Sequence, residues 1–260
     1  MKNKLTKLFE RKDRNLLNIF FTAGYPELED TPVILKSLYD AGADLVEIGI
    51  PFSDPLADGP TIQESSKQAL ENGMSIQKLF DQLNQFRIQN SEFRIPILLM
   101  GYFNPIMQYG LEKFCKRCSE VGVDGLIIPD LPLEIYISHY QAVFKKYNLS
   151  NIFLVTPQTS TERILQIDEQ STGFIYAVSS ASTTGSKSDF GSASLYLERL
   201  ASLGLKTPIL TGFNIKTAED FQQACQYVNG AIIGSAFIKA LQDDGKVESK
   251  TNQFVKSILS

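Results

Sequence analysis

Eight short apolar runs recur along the chain, and each is followed by Gly, Pro, Asn or Asp and then by a segment with helical periodicity. The runs are continuous rather than alternating, which is typical of strands buried on both faces of a parallel sheet. We therefore predict eight strands, at residues 17–22, 44–50, 95–101, 124–130, 151–157, 173–180, 207–213 and 229–235.

The segments between these runs are amphipathic and predict helices. Residues 76–86 place Ile, Leu and Phe at helical spacing after Ser75, which is typical of an N-cap followed by a buried face. Thr31 stands before a proline and predicts a second N-cap. Thr159 and Glu162 have the spacing of a capping box and predict the start of a third helix.

Eight alternations of strand and helix predict an α/β fold with parallel strands and right-handed crossovers. Over 260 residues they favour a single-domain (β/α)8 TIM barrel with extra helices, spanning residues 1–260. A doubly wound open sheet is the alternative. No low-complexity tract and no Pro- or Ser-rich linker divides the sequence. In either architecture the active site lies at the carboxyl ends of the strands.

Composition narrows the classes of function. A net charge of −4 and a pI near 5.2 argue against a nucleic-acid or anionic-membrane partner, although backbone N–H groups can bind phosphate on an acidic protein. Three cysteines and an N-terminus without an apolar segment predict a cytoplasmic chain with neither signal peptide nor membrane span. Cys115 and Cys118 have CxxC spacing inside a helical pattern, so we expect two buried or half-buried thiols rather than a redox or metal site.

Two connections at the carboxyl ends of the predicted strands are unusually long, residues 50–75 and residues 179–194. Glu47 stands in the apolar run before the first of them, where burial would raise its pKa toward that of a general acid or base. A glutamate satisfied by structural contacts is the alternative. Asp54 and Asp58 follow in a loop rich in Pro and Gly, and each alone is more typical of a turn residue than of a catalyst.

Small and aromatic residues mark other strand ends. Glycines follow the last three strands, where backbone N–H groups of barrels commonly hold phosphate, and routine strand-to-helix turns are the alternative. These positions are Gly185, Gly212, Gly234 and the adjoining Ser235. Aromatic side chains at strand ends suit either a ligand pocket or the core, and they are Phe20, Tyr176 and Phe213.

The other reactive side chains are few. His139 is the only histidine, and no second ligand stands at metal-binding spacing beside it. We therefore predict no metal site and no Ser-His-Asp mechanism. No lysine lies inside an apolar run, so a Schiff-base aldolase would lack its nucleophile. Carboxylates are the strongest catalytic candidates.

Residues 47–63, "EIGIPFSDPLADGPTIQ", closely resemble the signature segment of the tryptophan synthase α-subunit family. The segments "TAGYP", "DAGAD", "NPI", "IIPDLPLEI", "TTG", "GF" and "GSA" resemble further family segments in the same order, so the resemblance covers essentially the whole chain. It implies a (β/α)8 barrel that cleaves indole-3-glycerol phosphate reversibly to indole and D-glyceraldehyde 3-phosphate without a cofactor of its own. It also implies transfer of indole to a β-subunit that carries pyridoxal phosphate, in an α2β2 complex.

The resemblance assigns roles to individual residues. Glu47 matches the catalytic acid/base, Asp58 the aspartate that interacts with the indole nitrogen, and Tyr176 an active-site tyrosine. Substrate-binding positions are matched by Phe20 and Phe213 at the indole pocket, and by Thr184, Gly185, Asn214, Gly234 and Ser235 near the phosphate. Asn214 departs from the family, which usually has glycine there. Asn104, Pro105 and Ile106 match interface positions.

The implied roles suit the chemistry of the reaction. Indole is a poor leaving group, so its C3 must be protonated before the bond to the glycerol chain breaks. A glutamate with a raised pKa can deliver that proton and then accept the proton of the glycerol hydroxyl. An ionised aspartate can stabilise the positive charge on the ring nitrogen. Two alternatives are another phosphate-binding barrel enzyme and a non-catalytic subunit that activates a partner.

Overall fold

Eight parallel strands pair in chain order, and β1 pairs with β8 to close the ring. The computed structural model describes residues 3–178, 190–212 and 215–260, and of these all side chains except those of 190–193. The strands are β1 (Leu16–Thr22), β2 (Leu45–Gly49), β3 (Ile97–Met100), β4 (Gly125–Ile127), β5 (Ser150–Val155), β6 (Ile175–Ala177), β7 (Ile209–Thr211) and β8 (Gly230–Ile233). Each predicted run overlaps one strand, with β1 and β5 beginning one residue earlier than predicted. The β1–β8 pairing confirms the barrel and excludes the open sheet.

Helices surround the barrel, and several connections carry more than one. They are α1 (Lys4–Arg11), α2 (Asp30–Ala41), α3 (Pro60–Glu71), α4 (Ile76–Gln89), α5 (Phe103–Tyr109), α6 (Leu111–Glu120), α7 (Leu133–Ile135), α8 (Gln141–Lys146), α9 (Thr161–Gln170), α10 (Phe190–Ser202), α11 (Ala218–Cys225), α12 (Ser235–Ala240) and α13 (Val247–Leu259). A π-helical segment, Tyr136–Tyr140, joins α7 to α8. The predicted extra helices are therefore present.

One of the three predicted helix starts is confirmed. The Ser75 side chain accepts a hydrogen bond from the Lys78 N–H and caps α4. The Thr31 prediction was wrong, because α2 begins at Asp30 and the buried Thr31 hydroxyl accepts from the Gly24 N–H instead. The prediction at Thr159 was one residue early. Its hydroxyl accepts from the Thr156 N–H, and Ser160 caps α9.

Both long connections end in a helix earlier than predicted, so their irregular parts are shorter than expected. Helix α3 occupies much of residues 50–75, so the irregular part that follows β2 ends at Gly59. Helix α10 begins at Phe190, which makes the prediction of a connection reaching residue 194 wrong. Residues 179–189 of that connection lie outside the described chain.

Helix α1 packs against the amino ends of β4 and β5. Leu5 is fully buried, and the Asn3 amide donates to the Asp124 carbonyl and to the Ser150 hydroxyl. The Asp124 carboxylate accepts from the backbone N–H groups of Lys4 and Ile97, and it also pairs with the Lys4 ammonium at 2.9 Å. This end of the barrel is therefore covered by helix α1, and a ligand site belongs at the carboxyl end.

Replacing Asp124 by alanine should lower the free energy of unfolding by about 3 kcal/mol. The carboxylate is only 5% exposed, and its loss leaves a part-buried ammonium and a buried N–H without their acceptor. Urea unfolding at neutral pH measures the change. Asp40→Ala is the matched control, because its pair with Lys36 is an exposed i, i+4 contact worth less than about 0.5 kcal/mol. Equal small losses in both variants would contradict the anchoring role.

The remaining sequence candidates lie away from the barrel mouth. Cys115 and Cys118 are fully buried on α6, as predicted, and burial raises the pKa of Cys115 to about 12. His139 is exposed in the π-helical segment, beside the Ser138 hydroxyl. Within the described ranges, no helix is long and apolar enough to cross a membrane.

Candidate active site

Glu47 lies in the middle of β2, a strand whose five residues are all buried. No part of its side chain is exposed, and this burial raises the carboxyl pKa to about 8 because the charged form loses its hydration. The Asn18 amide donates to Oε1 at 2.5 Å and opposes part of that rise. In the described part of the chain, Oε2 has no hydrogen-bond partner. Glu47 therefore holds a proton at neutral pH and has one oxygen available for a ligand.

Asp58 lies in the turn between β2 and α3. Its Oδ2 accepts a hydrogen bond from the Tyr102 hydroxyl at 3.0 Å. Burial raises the pKa of Asp58, while the bond from Tyr102 lowers it by stabilising the carboxylate. Asp54, four residues earlier, is exposed. Spacing alone left the two aspartates equivalent, whereas the fold turns only Asp58 toward the end of β3.

Tyr102 is a site residue that the sequence analysis missed. It lies just beyond β3, and its hydroxyl accepts a hydrogen bond from the Ala57 N–H while it donates to Asp58. Its ring also packs on Phe52, with ring centroids 4.9 Å apart. Tyr102 therefore ties the turn after β2 to the end of the next strand. The feature of the sequence that could have identified Tyr102 is its position at the carboxyl end of a predicted strand.

Tyr176 lies on β6, on the opposite side of the barrel, and is close enough to Glu47 and Asp58 for their charges to affect its pKa. Burial raises its pKa well above the ordinary value, and the charges of Glu47 and Asp58 raise it further. The hydroxyl is therefore protonated and within electrostatic reach of both. Gly212 follows β7 beside it, where an added Cβ would lie 2.7 Å from the Tyr176 hydroxyl oxygen. A side chain at Gly212 would displace the tyrosine.

The Phe20 ring lies between two glycines at strand ends. A Cβ on Gly49 would lie 2.6 Å from the ring, and a Cβ on Gly234 would lie 3.2 Å from it. The contact at Gly49 is too close for a side chain, and a side chain at Gly234 would need the ring to shift by a few tenths of an ångström. Glycine at both positions therefore leaves room for Phe20. Ser235 directly follows Gly234 and opens α12, where the first backbone N–H groups have no partner within the helix.

A narrow cleft opens at the carboxyl ends of β1 to β4. It is lined by Phe20, Thr22, Gly49, Ile50, Asp58, Ile62, Ser66, Met100, Gly101, Tyr102 and Pro129. Asp58 and Phe20 therefore border it, whereas Glu47 is not among its lining residues. The structure thus brings Glu47, Asp58, Tyr176 and Phe20 to one end of the barrel. Four predicted substrate-binding positions, Thr184, Gly185, Phe213 and Asn214, lie outside the described residues and stay predictions.

A family model described as tryptophan synthase alpha chain matches residues 6–259. The chain belongs to the tryptophan synthase alpha chain family. The alpha chain of Flavobacterium johnsoniae is 56% identical over 98% of this chain and 99% of its own length. That of Parabacteroides distasonis is 49% identical over 98% of this chain and 99% of its own.

Solved structures agree with this family. The tryptophan synthase alpha subunit of Legionella pneumophila superposes with a TM-score of 0.90 at 32% identity, covering 99% of this chain and 97% of the other. Tryptophan synthase of M. tuberculosis in its aminoacrylate-bound form gives a TM-score of 0.84 at 27% identity, covering 98% of both chains. As a member of the family, the chain is a lyase of tryptophan biosynthesis that cleaves indole-3-glycerol phosphate, as the motif resemblance implied.

Replacing Tyr102 by phenylalanine should shift the acid limb of the pH profile of kcat/KM upward by about half to one pH unit. The variant removes the donor that stabilises the Asp58 carboxylate, so the pKa of Asp58 rises and its ionised form is lost at a higher pH. Indole release measured across the pH range tests this. Tyr109→Phe is the control, since the Tyr109 hydroxyl donates to Gln77 instead. Equal profiles for both variants would contradict the assigned contact.

Proposed function

We propose that Glu47, Asp58 and Tyr176 carry the cleavage of indole-3-glycerol phosphate in this chain. The observation that carries the proposal is Glu47 itself, a fully buried carboxyl with a pKa near 8 and a free Oε2. A carboxyl that keeps its proton at neutral pH is the group needed to protonate a carbon atom. Indole C3 is that carbon.

The proposed cleavage consists of two proton transfers at Glu47 and the breaking of one carbon–carbon bond. Glu47 gives its proton to indole C3, and the ring becomes an indolenine with positive charge on nitrogen. The glycerol hydroxyl on the adjoining carbon then returns a proton to the Glu47 carboxylate, and its oxygen forms the aldehyde C=O. The bond between C3 and the glycerol carbon breaks, and its electron pair restores the aromatic ring. Indole and glyceraldehyde 3-phosphate leave, and Glu47 is again protonated.

Asp58 stabilises the charge that develops on the ring nitrogen. Its carboxylate borders the cleft, and the bond from Tyr102 favours the ionised form. An oriented carboxylate in a partly buried site stabilises a developing cation more strongly than water does. Tyr176 keeps its proton beside both carboxyls and serves as a hydrogen-bond donor to Glu47 when that group is charged.

The substrate enters beside Phe20. Glu47 is not among the residues that line the cleft, whereas Phe20 is. An indole ring therefore reaches Glu47 only if lining side chains move, and we infer that Phe20 is one of them. Gly234 and Ser235 offer backbone N–H groups to the phosphate at the start of α12. Thr184, Gly185, Phe213 and Asn214 complete the substrate site by the motif match alone.

The family works with a beta subunit. We infer that this chain forms an α2β2 complex with that subunit, passes indole to it, and needs no cofactor of its own, with pyridoxal phosphate confined to the partner. The resemblance at Asn104, Pro105 and Ile106 supports an interface there. We further infer a single domain over residues 1–260 and a cytoplasmic location, since all three cysteines are unpaired, as is typical of a reducing compartment.

An indole-release assay on indole-3-glycerol phosphate tests the function, run with and without the cognate beta subunit. We expect slow release by the chain alone and faster release in the complex. Glycerol phosphate serves as a binding probe of the phosphate site in the same preparations. Absence of indole under both conditions would overturn the lyase assignment and favour a subunit that only activates its partner.

A further inference from the structure

Asn18 is a buried amide inside the barrel, and none of the proposed reaction steps uses it. It lies in β1, a strand whose seven residues are all buried, and its side chain has no exposed area. Its Nδ2 donates to Glu47 Oε1 at 2.5 Å, while its Oδ1 has no hydrogen-bond partner in the described chain. Burying an amide with an unpaired oxygen is unfavourable by about 1–3 kcal/mol. A hydrophobic residue would fill this position at less cost to stability.

The strand register places Asn18 below Glu47. Phe20 is the residue that pairs with Glu47, and Asn18 pairs with Leu45. Asn18 therefore lies two residues closer to the amino end, which is about 7 Å along the strand. It reaches the glutamate from the side opposite the cleft. The amide occupies Oε1, and Oε2 stays free for the substrate.

The hydrogen bond from Asn18 Nδ2 suits both protonation states of Glu47. In the acid, with its proton on Oε2, Oε1 is a carbonyl oxygen and accepts from Nδ2, and in the carboxylate Oε1 is charged and accepts more strongly. The contact can therefore persist while Oε2 gives and takes the proton, and its greater strength toward the carboxylate lowers the Glu47 pKa.

We propose that Asn18 is a positioning residue that holds Glu47 in one orientation through both of its protonation states. The proposal rests on the proposed catalytic role of Glu47. The strand neighbours of Glu47 are Phe20 on β1 and Leu98 on β3, and Tyr176 on β6 is an ionisable group that its charge reaches. Asp58 acts on Tyr176 from the turn after β2.

The test is a ¹³C NMR titration of the Glu47 carboxyl in the complete chain, with the resonance assigned by its loss in Glu47→Gln. In Asn18→Leu, which keeps the side-chain size but removes donor and acceptor, the Glu47 pKa should rise by about one unit or more. The basic limb of kcat/KM for indole release should move upward by the same amount, and kcat should fall about ten-fold or more because the carboxyl is held less firmly.

Two further variants make the result decisive. Asn151→Leu is the matched control, because Asn151 is another buried strand asparagine with an unpaired Oδ1 but lies on β5, three strands from the strand of Glu47. It should leave the Glu47 titration unchanged. Asn18→Asp keeps the shape of the side chain and places two carboxyls together, so the pair should titrate with one pKa raised still further. This variant preserves the test if Asn18→Leu does not fold.

The outcomes separate the inference from the function it rests on. If Asn18→Leu lowers stability but leaves the Glu47 titration and the pH profile unchanged, while Glu47→Gln abolishes cleavage, Asn18 is only a packing residue and the inference fails alone. If the titration shifts and the pH profile does not, Glu47 is not the proton donor, and both the proposed function and the positioning role are overturned. Parallel shifts of titration and profile support both.

Discussion

Glu47→Gln should abolish nearly all indole release while the barrel stays folded. Positioned acid–base groups contribute about 10²–10⁴-fold, so we expect a loss of at least that size in kcat/KM. Glutamine has the size of glutamate and can keep the contact with Asn18, but it cannot give or take the proton. Steady-state indole release with and without the beta subunit measures the loss, and binding of glycerol phosphate should be unchanged. Retained activity would refute the proton-transfer role.

The same variant should also change how the free energy of unfolding depends on pH. The folded pKa of Glu47 is about 8, against an ordinary value of 4.5, so between these pH values the folded chain holds a proton that the unfolded chain has released. The free energy of unfolding therefore falls as pH rises through this window, by up to about 5 kcal/mol. Glu47→Gln lacks this loss and should be the more stable protein at pH 9, with little difference near pH 4. Parallel stability curves would contradict the buried, protonated state.

Asp58→Asn should slow cleavage by about 10²–10³-fold with little change in glycerol phosphate binding. Asparagine keeps the turn and can still accept from Tyr102, but it cannot balance the charge on the indole nitrogen. Single-turnover indole formation separates this effect from substrate affinity.

Asp54→Asn is the matched control for that experiment. It makes the same chemical change four residues away, on an exposed side chain, and should leave the rate unaltered. If Asp58→Asn loses phosphate binding and cleavage to the same extent, Asp58 supports the turn rather than the reaction. If both variants slow cleavage equally, the electrostatic role belongs to the loop as a whole.

Much of the barrel was predictable because its strands are buried on both faces and therefore read as unbroken apolar runs. Helix boundaries were less predictable. Thr31 and Thr159 have residue types that suit a cap, yet their hydroxyls accept backbone N–H groups from the preceding connections. The same side chain can satisfy either partner, and the local sequence does not rank them. Position 194 was assigned to a loop because Ser and Gly dominate there, but α10 begins four residues earlier.

In the candidate site, too, some residues could be predicted from the sequence, whereas their contacts could not. A polar residue in an apolar run identified Glu47, and the same signal in "LLNIFFT" was available for Asn18. What such a residue contacts was not available, because the partners come from elsewhere in the chain: Asn18 lies 29 residues from Glu47, and Tyr102 lies 44 residues from Asp58. The motif resemblance selected Asp58 over Asp54 without a physical reason, and the contact with Tyr102 supplies one.

The sequence by itself determined the number and order of the strands, the end of the barrel where chemistry belongs, and the family. Those properties follow from local hydrophobic pattern and from motifs in linear order. The tertiary structure decided the protonation of Glu47, the partner of Asp58 and the place of Phe20 between Gly49 and Gly234. A carboxyl pKa depends on how completely neighbouring strands exclude water and on which donors they bring. Those quantities exist only once the eight strands have closed.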